Sequence, residues 1–298
     1  MKTIAIQSIK GGTAKTTTSV HLASGILEQE PEARILLIDS DQQSSLRTYF
    51  RISTKENSAD LSEFLLENRP YQDCVIPVEF GAENKRKKID VIISNKRIAD
   101  AEMKLFVLPR REELLRLRFK QQNLAANYDY VIFDCPPTLN LVTYNVLLAS
   151  DYFIIPCSMD MFSVVGVKSV IENLDAVAQV FDVRPKVLGV LPTIYDGRNN
   201  FNKEMLEQIK VVFAHLGVFE PIRIDVKIKR AQIKNMSVFE YDSECNAAKD
   251  YGQFAIAVLS ALNQDQVQSS KTQAVSSGSF NRAPAEVHSE VRSLRGSL

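Results

Sequence analysis

Three groups of residues in this sequence have the types and spacing to handle a phosphorylated ligand. The first is Ile9-Lys10-Gly11-Gly12-Thr13-Ala14-Lys15-Thr16-Thr17, near the start of the chain. Its two glycines carry no Cβ and let the backbone curl closely around a phosphate. Lys15 would supply a point charge to β- and γ-phosphates, and the Thr16 hydroxyl a ligand to Mg²⁺. The second group is Asp39-Ser40-Asp41-Gln42-Gln43, which sets two carboxylates in one short turn. Beside a phosphate loop it reads as a segment that handles Mg²⁺ and water. The third is Asp134 in Asp134-Cys135-Pro136-Pro137, an aspartate that could hold Mg²⁺ through water. No histidine lies in that motif, so Cys135 reads as a buried thiol and not as a nucleophile.

Each group needs an element to hold it in place. The first sits between the apolar run Thr3-Ile4-Ala5-Ile6 and a helical pattern of Val20, Ala23, Ile26 and Leu27. A strand, a Gly-containing loop and a helix start make an anion site, because the first helical N–H groups lack intrahelical partners and the helix dipole favours negative charge. The spacing predicts a helix from Lys15 to Gln29, ending before Pro31. The second group ends the run Ile35-Leu36-Leu37-Ile38, and the third ends Tyr128-Asp129-Tyr130-Val131-Ile132-Phe133. Unbroken apolar runs of this kind predict strands buried on both faces. Ligands of open α/β sheets bind at the carboxyl ends of such strands.

Further along, Leu61, Phe64 and Leu65 predict a short helix starting near Ser58 and Asp60. Gly81 to Lys88 reads as a polar turn with four consecutive basic residues, and Ile89 to Ile93 as a strand. A helical tract is predicted from Arg110 to Asn127, with Leu114, Leu117 and Leu124 inward. Tyr152 to Pro156 and Val187 to Leu191 predict two more strands. Between them a helix is predicted from Ser163 to Phe181, with Val167, Val170, Ile171, Leu174 and Val177 on its apolar face. The alternation predicts an α/β fold, a doubly wound and mainly parallel sheet with helices on both faces. Tyr251 to Leu262 reads as the closing helix of a domain spanning 1–262. Residues 263–298, rich in Ser and Gln, read as a disordered tail.

Composition narrows the function classes. The chain of 298 residues is 45% hydrophobic and has zero formal net charge, so no global basic field draws it to nucleic acid. Any DNA contact must come from a local patch. A candidate is the Arg223–Lys234 segment, whose basic residues are Arg223, Lys227, Lys229, Arg230 and Lys234. A solvated face is the other reading of that segment. Four scattered cysteines and three histidines fit a reducing cytosol and offer no metal cluster. Met1 leads straight into a strand and no apolar run approaches a membrane span, so a soluble cytoplasmic protein is expected.

The three motifs together resemble the ParA/MinD family of deviant phosphate-loop ATPases over about residues 1–262. Lys10-Gly11-Gly12-Thr13-Ala14-Lys15-Thr16 matches K-G-G-x-x-K-[ST], Asp39, Asp41 and Gln43 match D-x-D-P-Q with Gln42 in place of proline, and Asp-Cys-Pro-Pro matches the third motif. The resemblance implies Mg²⁺-dependent ATP hydrolysis, with Lys10, Lys15 and Asp41 catalytic and residues Lys10 to Thr17 around the nucleotide. It implies that Thr16, Asp39 and Asp134 serve the metal, the two aspartates through water, and that Lys10 reaches a partner subunit. The Tyr195-Asp196-Gly197-Arg198 turn and the Pro221–Asp225 stretch would flank the adenine. In the ParA branch ATP closes a homodimer on double-stranded DNA of arbitrary sequence, on the nucleoid, and a ParB-like protein stimulates slow hydrolysis in plasmid or chromosome partition. Two other readings stay open: a MinD-like positioning ATPase, and a nucleotide-gated regulator with negligible turnover. The tail shows no basic amphipathic stripe of the MinD kind, so no membrane is expected as a partner. A nitrogenase-type iron–sulfur reductase is disfavoured, because no cysteine pair is placed to share a cluster.

Overall fold

The computed structural model describes residues 1–53, 59–80, 87–183 and 185–278. The chain opens with β1 (Lys2–Ile6), α1 (Lys15–Gln29), β2 (Ile35–Asp39) and α2 (Ser45–Tyr49). Next come α3 (Leu61–Glu67), α4 (Tyr71–Cys74), β3 (Val75–Phe80), β4 (Lys87–Ile92), α5 (Arg97–Leu105) and α6 (Leu114–Gln121). Then follow β5 (Tyr130–Asp134), α7 (Leu141–Ala149), β6 (Tyr152–Ser158), α8 (Met161–Phe181) and β7 (Lys186–Thr193). The last helices are α9 (Asn200–Val212), α10 (Val226–Ile233), α11 (Val238–Tyr241) and α12 (Asn246–Gly278).

Among the described residues the strands form one seven-stranded sheet in the order β3-β4-β2-β5-β1-β6-β7. All neighbours are parallel except β3, which runs antiparallel to β4 at the edge. The order explains the uninterrupted apolar strands. β1, β2 and β5 are central and carry Ile4 to Ile6, Ile35 to Ile38 and Val131 to Phe133, all buried. Among the described residues, each edge limits further pairing in its own way. At β3, Pro77 has no N–H to offer a ladder. At β7, the segment 217–224 lies alongside, with Val190 N donating to Gly217 O at 3.0 Å and Phe219 N to Val190 O at 2.9 Å.

Two expectations change. The tract predicted from Arg110 to Asn127 holds a helix only over Leu114–Gln121, followed by a 3-10 turn at Leu124–Ala126. Its buried face is Leu115 and Phe119 with Leu124 beyond, since Phe119 stacks on Phe133 of β5 at 5.9 Å between ring centroids. Leu114 and Leu117 are only half-buried. The basic segment holds α10, started by Asp225, whose carboxylate accepts from Lys227 N at 2.9 Å. Residues 81–86 and Ser58 lie outside the described residues, whereas Lys87 and Lys88 open β4. Asp60 caps α3 as expected.

The chain divides into two compact units, Met1–Val258 and Leu259–Leu298. In the second unit, α12 continues to Gly278, and no proline interrupts the residues from Leu262 to that point. Of the tail expected over 263–298, residues 279–298 lie outside the described residues. Among the described residues no helix is long and apolar enough to cross a membrane.

One buried polar group ties α1 to the later helices. His21 is fully buried, with Nδ1 at 2.7 Å from Thr17 O and Nε2 accepting from Val238 N at 3.2 Å. A carbonyl on one nitrogen and an N–H on the other fix the neutral, Nδ1-protonated tautomer. Its ring stacks on Tyr251 of α12 at 4.6 Å. Burial lowers its pKa from 6.5 to about 4. Below about pH 6.5 the unfolded chain takes up a proton that the folded chain refuses, so stability falls as pH drops towards 4. At roughly 1.4 kcal/mol per unit, His21 should remove up to about 3 kcal/mol across that window. Chemical denaturation from pH 7 to 4 should show this slope in the wild type and a shallower one in His21→Phe; parallel curves would assign the slope to other groups.

Candidate functional site

The phosphate-loop residues fill the turn between β1 and α1. Gly12 at φ 76° and Ala14 at φ 66° are both left-handed, which folds residues 11–14 into a tight curl. A Cβ on Gly11 or Gly12 would meet nothing within 4 Å, so the concave side of the loop is open. The first bond of α1 runs from Thr18 N to Ala14 O at 2.8 Å, which leaves the N–H groups of Lys15, Thr16 and Thr17 without intrahelical partners. Lys15 Nζ folds back onto Lys10 O at 3.0 Å, and burial lowers its pKa against the charges of Asp134 and Asp41. The loop is braced from β7, where Thr193 Oγ1 donates to Thr13 O at 3.1 Å.

The carboxylates are assembled by strand register. Ile6 pairs with Asp134 and Asp134 pairs with Asp39, so the last residues of β1, β5 and β2 form one row. Residues 39 and 134, distant along the chain, thereby lie on adjacent strands, about 5 Å apart across the ladder. Both are buried. Asp39 accepts from Asp41 N at 3.0 Å and from Leu46 N at 2.9 Å. Its pKa is raised by burial and then by the charge of Asp134, against those two bonds. Burial pushes Asp134 up to about 7, opposed by a hydrogen bond from Thr16 and by the charge of Lys15. Ser19 Oγ lies 3.5 Å from Asp134 Oδ1, while Asp134 Oδ2 is buried without a hydrogen-bond partner.

A buried carboxylate oxygen left unpaired, beside a second carboxylate and the Thr16 hydroxyl, could take a hard divalent cation. All the donors are oxygen, as Mg²⁺ requires. Thr16, Asp39 and Asp134, predicted separately, therefore converge on one spot. Asp41 lies at its rim, half-buried, its Oδ1 accepting from Gln43 N at 2.9 Å in an Asx turn. Gln42 and Gln43 are exposed in that turn. Cys135 is buried, and burial raises its thiol pKa, which suits a packing role.

Lys10 points away from that cluster. Its Nζ pairs with Asp160 Oδ2 at 2.5 Å. Asp160 caps α8, accepting from Ser163 N at 3.0 Å and from Ser158 Oγ at 2.9 Å. Burial opposes ionisation, but the bonds from Lys10, Ser158 and Ser163 hold the carboxyl at about 2. Asp160, Thr193 and Ser19 were missed from sequence. Asp160 carried a usable signal, an acid just beyond the carboxyl end of an apolar strand, as with Asp39 and Asp134.

The two segments expected around the adenine meet. Tyr195 N donates to Ile222 O at 3.0 Å and Ile224 N to Tyr195 O at 2.9 Å, next to the end of β7 that braces the loop. The five basic candidates do not all remain available. Arg223 is held by Asp250, at 2.6 Å from Nη2 to Oδ1, and Lys227 by Asp242 at 2.7 Å. Lys229 and Arg230 are exposed on α10, and Lys234 is exposed just past its end.

Comparisons with known proteins agree with this geometry. A family described as an AAA domain matches residues 1–187. The chromosome partitioning protein ParA of Myxococcus xanthus (strain DK1622) is 31% identical over 249 residues, 83% of this chain and 84% of that protein. The sporulation initiation inhibitor protein Soj of Bacillus subtilis (strain 168) is 30% identical over 250 residues, 84% of this chain and 95% of its own. A cobyrinic acid a,c-diamide synthase structure from Mycobacterium smegmatis with bound ADP and magnesium superposes with TM-score 0.71 at 26% identity, covering 87% of this chain and 94% of that one.

Two outcomes test the site. Asp134→Asn removes one of two adjacent buried carboxylates, so it should raise the Tm of the protein in EDTA and abolish the further rise on adding Mg²⁺ with nucleotide. A lower Tm in EDTA would mean that the carboxylate is satisfied in the folded chain. Ala14 adopts a conformation that costs an L-residue with a Cβ about 1–2 kcal/mol. Ala14→Gly relieves that strain and loosens the unfolded chain, for a net gain of about 0.5–1 kcal/mol in denaturant unfolding. Destabilisation by this variant would show that Ala14 is not left-handed in solution.

Proposed function

The chain belongs to the ParA/MinD family of ATPases, and from that membership we propose that it is a partition ATPase whose ATP-bound homodimer holds DNA of arbitrary sequence. ATP and Mg²⁺ are its cofactors, and a ParB-like protein stimulates hydrolysis to ADP and phosphate, which releases the DNA. One observation carries the reading: the register that sets Asp39 and Asp134 side by side next to Lys15 and Thr16. The left-handed curl at residues 12–14 and the free N–H groups of α1 receive the phosphates. Lys15 exchanges its bond to Lys10 O for a charge-assisted one to phosphate. Thr16 directly, and Asp39 and Asp134 through water, would hold Mg²⁺, which would supply positive charge against the triphosphate. Asp41, at the rim, orients the water that attacks the γ-phosphorus.

Lys10 is engaged within its own subunit. For it to reach a partner's phosphates, its ammonium must leave Asp160. Both side chains are about one-third exposed, at 35% and 31%, so the pair is screened and a triphosphate can outcompete it. The DNA contact falls to Lys229, Arg230 and Lys234. Two such patches on a dimer act together even though the net charge is zero.

Filter binding on arbitrary duplex DNA, with ATP or ADP and across a salt series, tests the proposal. Retention should need ATP and fall steeply with salt. Lys15→Ala should lose affinity for a fluorescent ATP analogue by at least about a hundredfold, the scale of one buried charge-assisted contact. Lys229→Glu, Arg230→Glu and Lys234→Glu combined should bind the analogue but not DNA. Equal DNA retention with both nucleotides would remove the switch, and flotation with anionic vesicles in place of DNA retention would favour a MinD-like positioning role.

A further inference from the structure

Three side chains converge on one short backbone segment from helices that follow the two nucleotide motifs. Arg51, just past α2, donates from Nη2 to Ile233 O at 2.6 Å. Tyr49, in the last turn of α2, donates from its hydroxyl to Met236 O at 3.1 Å. His21, in α1, accepts from Val238 N at 3.2 Å. The segment Ile233–Val238 joins the carboxyl end of α10 to α11; α10 exposes Lys229 and Arg230, and the segment itself exposes Lys234. Carbonyls in the last turn of a helix have no intrahelical donor, so Arg51 does there what a capping group does, and its charge favours that end of the dipole.

The other end of α2 is fixed by a residue of the metal site. Asp39 Oδ2 accepts from Leu46 N, in the first turn of α2, at 2.9 Å. The helix between is only Ser45–Tyr49, about 7 Å long, little more than one turn, so its two ends are joined by a few backbone hydrogen bonds. Tyr49 is also buried, at 1% exposure, so its ring cannot swing independently of α2. His21 makes a parallel tie, since its Nδ1 holds Thr17 O in the first turn of α1, beside Thr16.

We propose that Arg51 and Tyr49, with His21 as the second tie, are positioning residues that couple the carboxylate of Asp39 to the backbone at 233–238 and so to the cationic face of α10. The proposal rests on the nucleotide reading above. Each oxygen of Asp39 already accepts one N–H, Oδ1 from Asp41 and Oδ2 from Leu46, so a water of a cation's shell would share an oxygen with one of those bonds and pull on its geometry. Any turn of that carboxylate shifts the first turn of α2. The shift reaches Tyr49 and Arg51 at its far end and the carbonyls they hold. A coupling between sites requires an element that both of them bias, and α2, tied to Asp39 at one end and to residues 233–236 at the other, is that element in this proposal.

Hydrogen–deuterium exchange on the full chain with Mg²⁺ and either a non-hydrolysable ATP analogue or ADP tests the coupling. In the wild type, amides of residues 226–238 should exchange at rates differing several-fold between the two nucleotides. Tyr49→Phe, which removes one hydroxyl and leaves the ring packed, and Arg51→Met should each shrink that difference towards one. The nucleotide difference at loop amides 11–17 should persist in both. Arg51→Lys, which keeps a cationic donor, should retain part of it. A merely structural role would raise exchange equally in both nucleotide states and leave their ratio alone, which would overturn the proposal. So would a wild-type segment indifferent to nucleotide. DNA retention measured in parallel separates the two readings. A nucleotide-sensitive segment in a protein that holds no DNA would sink the partition reading and leave the coupling in place.

Discussion

The arrangement depends on the parallel register of three central strands. Pairing of Ile6 with Asp134, and of Asp134 with Asp39, sets the height at which each strand releases its chain. A slip of one residue would turn the aspartates to the opposite face and put Val, Ile and Leu side chains where water must go. The apolar content of β1, β2 and β5 makes such a slip costly, so the core fixes the geometry of the site. Two ionisable groups are thereby held together out of water, a placement that hydrophobic burial elsewhere in the sheet must offset.

That dependence explains what could be read from the chain and what could not. The central strands are short apolar runs that permit one interpretation, and α1 follows from its spacing and from Pro31. The phosphate loop and the three aspartates lie at the ends of those runs, so they were legible too. The edge was not. In β3, Val75-Ile76-Pro77-Val78-Glu79 alternates weakly around a proline, and its pairing with β4 is visible only once β4 is in place. Helix α5 carries Ile98, Ala101 and Leu105 on a narrow stripe that polar neighbours disguise. In α6 the sequence offers leucines at several helical positions, and the choice of Leu115 over Leu114 is made by the location of Phe133 in β5.

Around the site, what stayed hidden was contact between distant segments. Asp160 meets Lys10, and Thr193 meets Thr13, because β6 and β7 end beside the phosphate loop. Neither pair has a local sequence pattern. The basic residues near 223–234 show the opposite problem. Charge counts suggested five equivalent groups, whereas folding neutralises Arg223 and Lys227 through Asp250 and Asp242 and turns the rest outward by helical rotation. The helix start at Asp225 decides which cations face solvent.

The two sheet edges have a consequence for behaviour in a crowd. A parallel sheet with open borders is a template on which another copy can add its own strand. Here Pro77 interrupts the donor row of β3, and the 217–224 segment occupies the border of β7. Neither flank offers an unbroken ladder to a neighbour. Strand addition between copies is thereby disfavoured, which leaves contacts between side chains, and these, unlike a strand ladder, can let go.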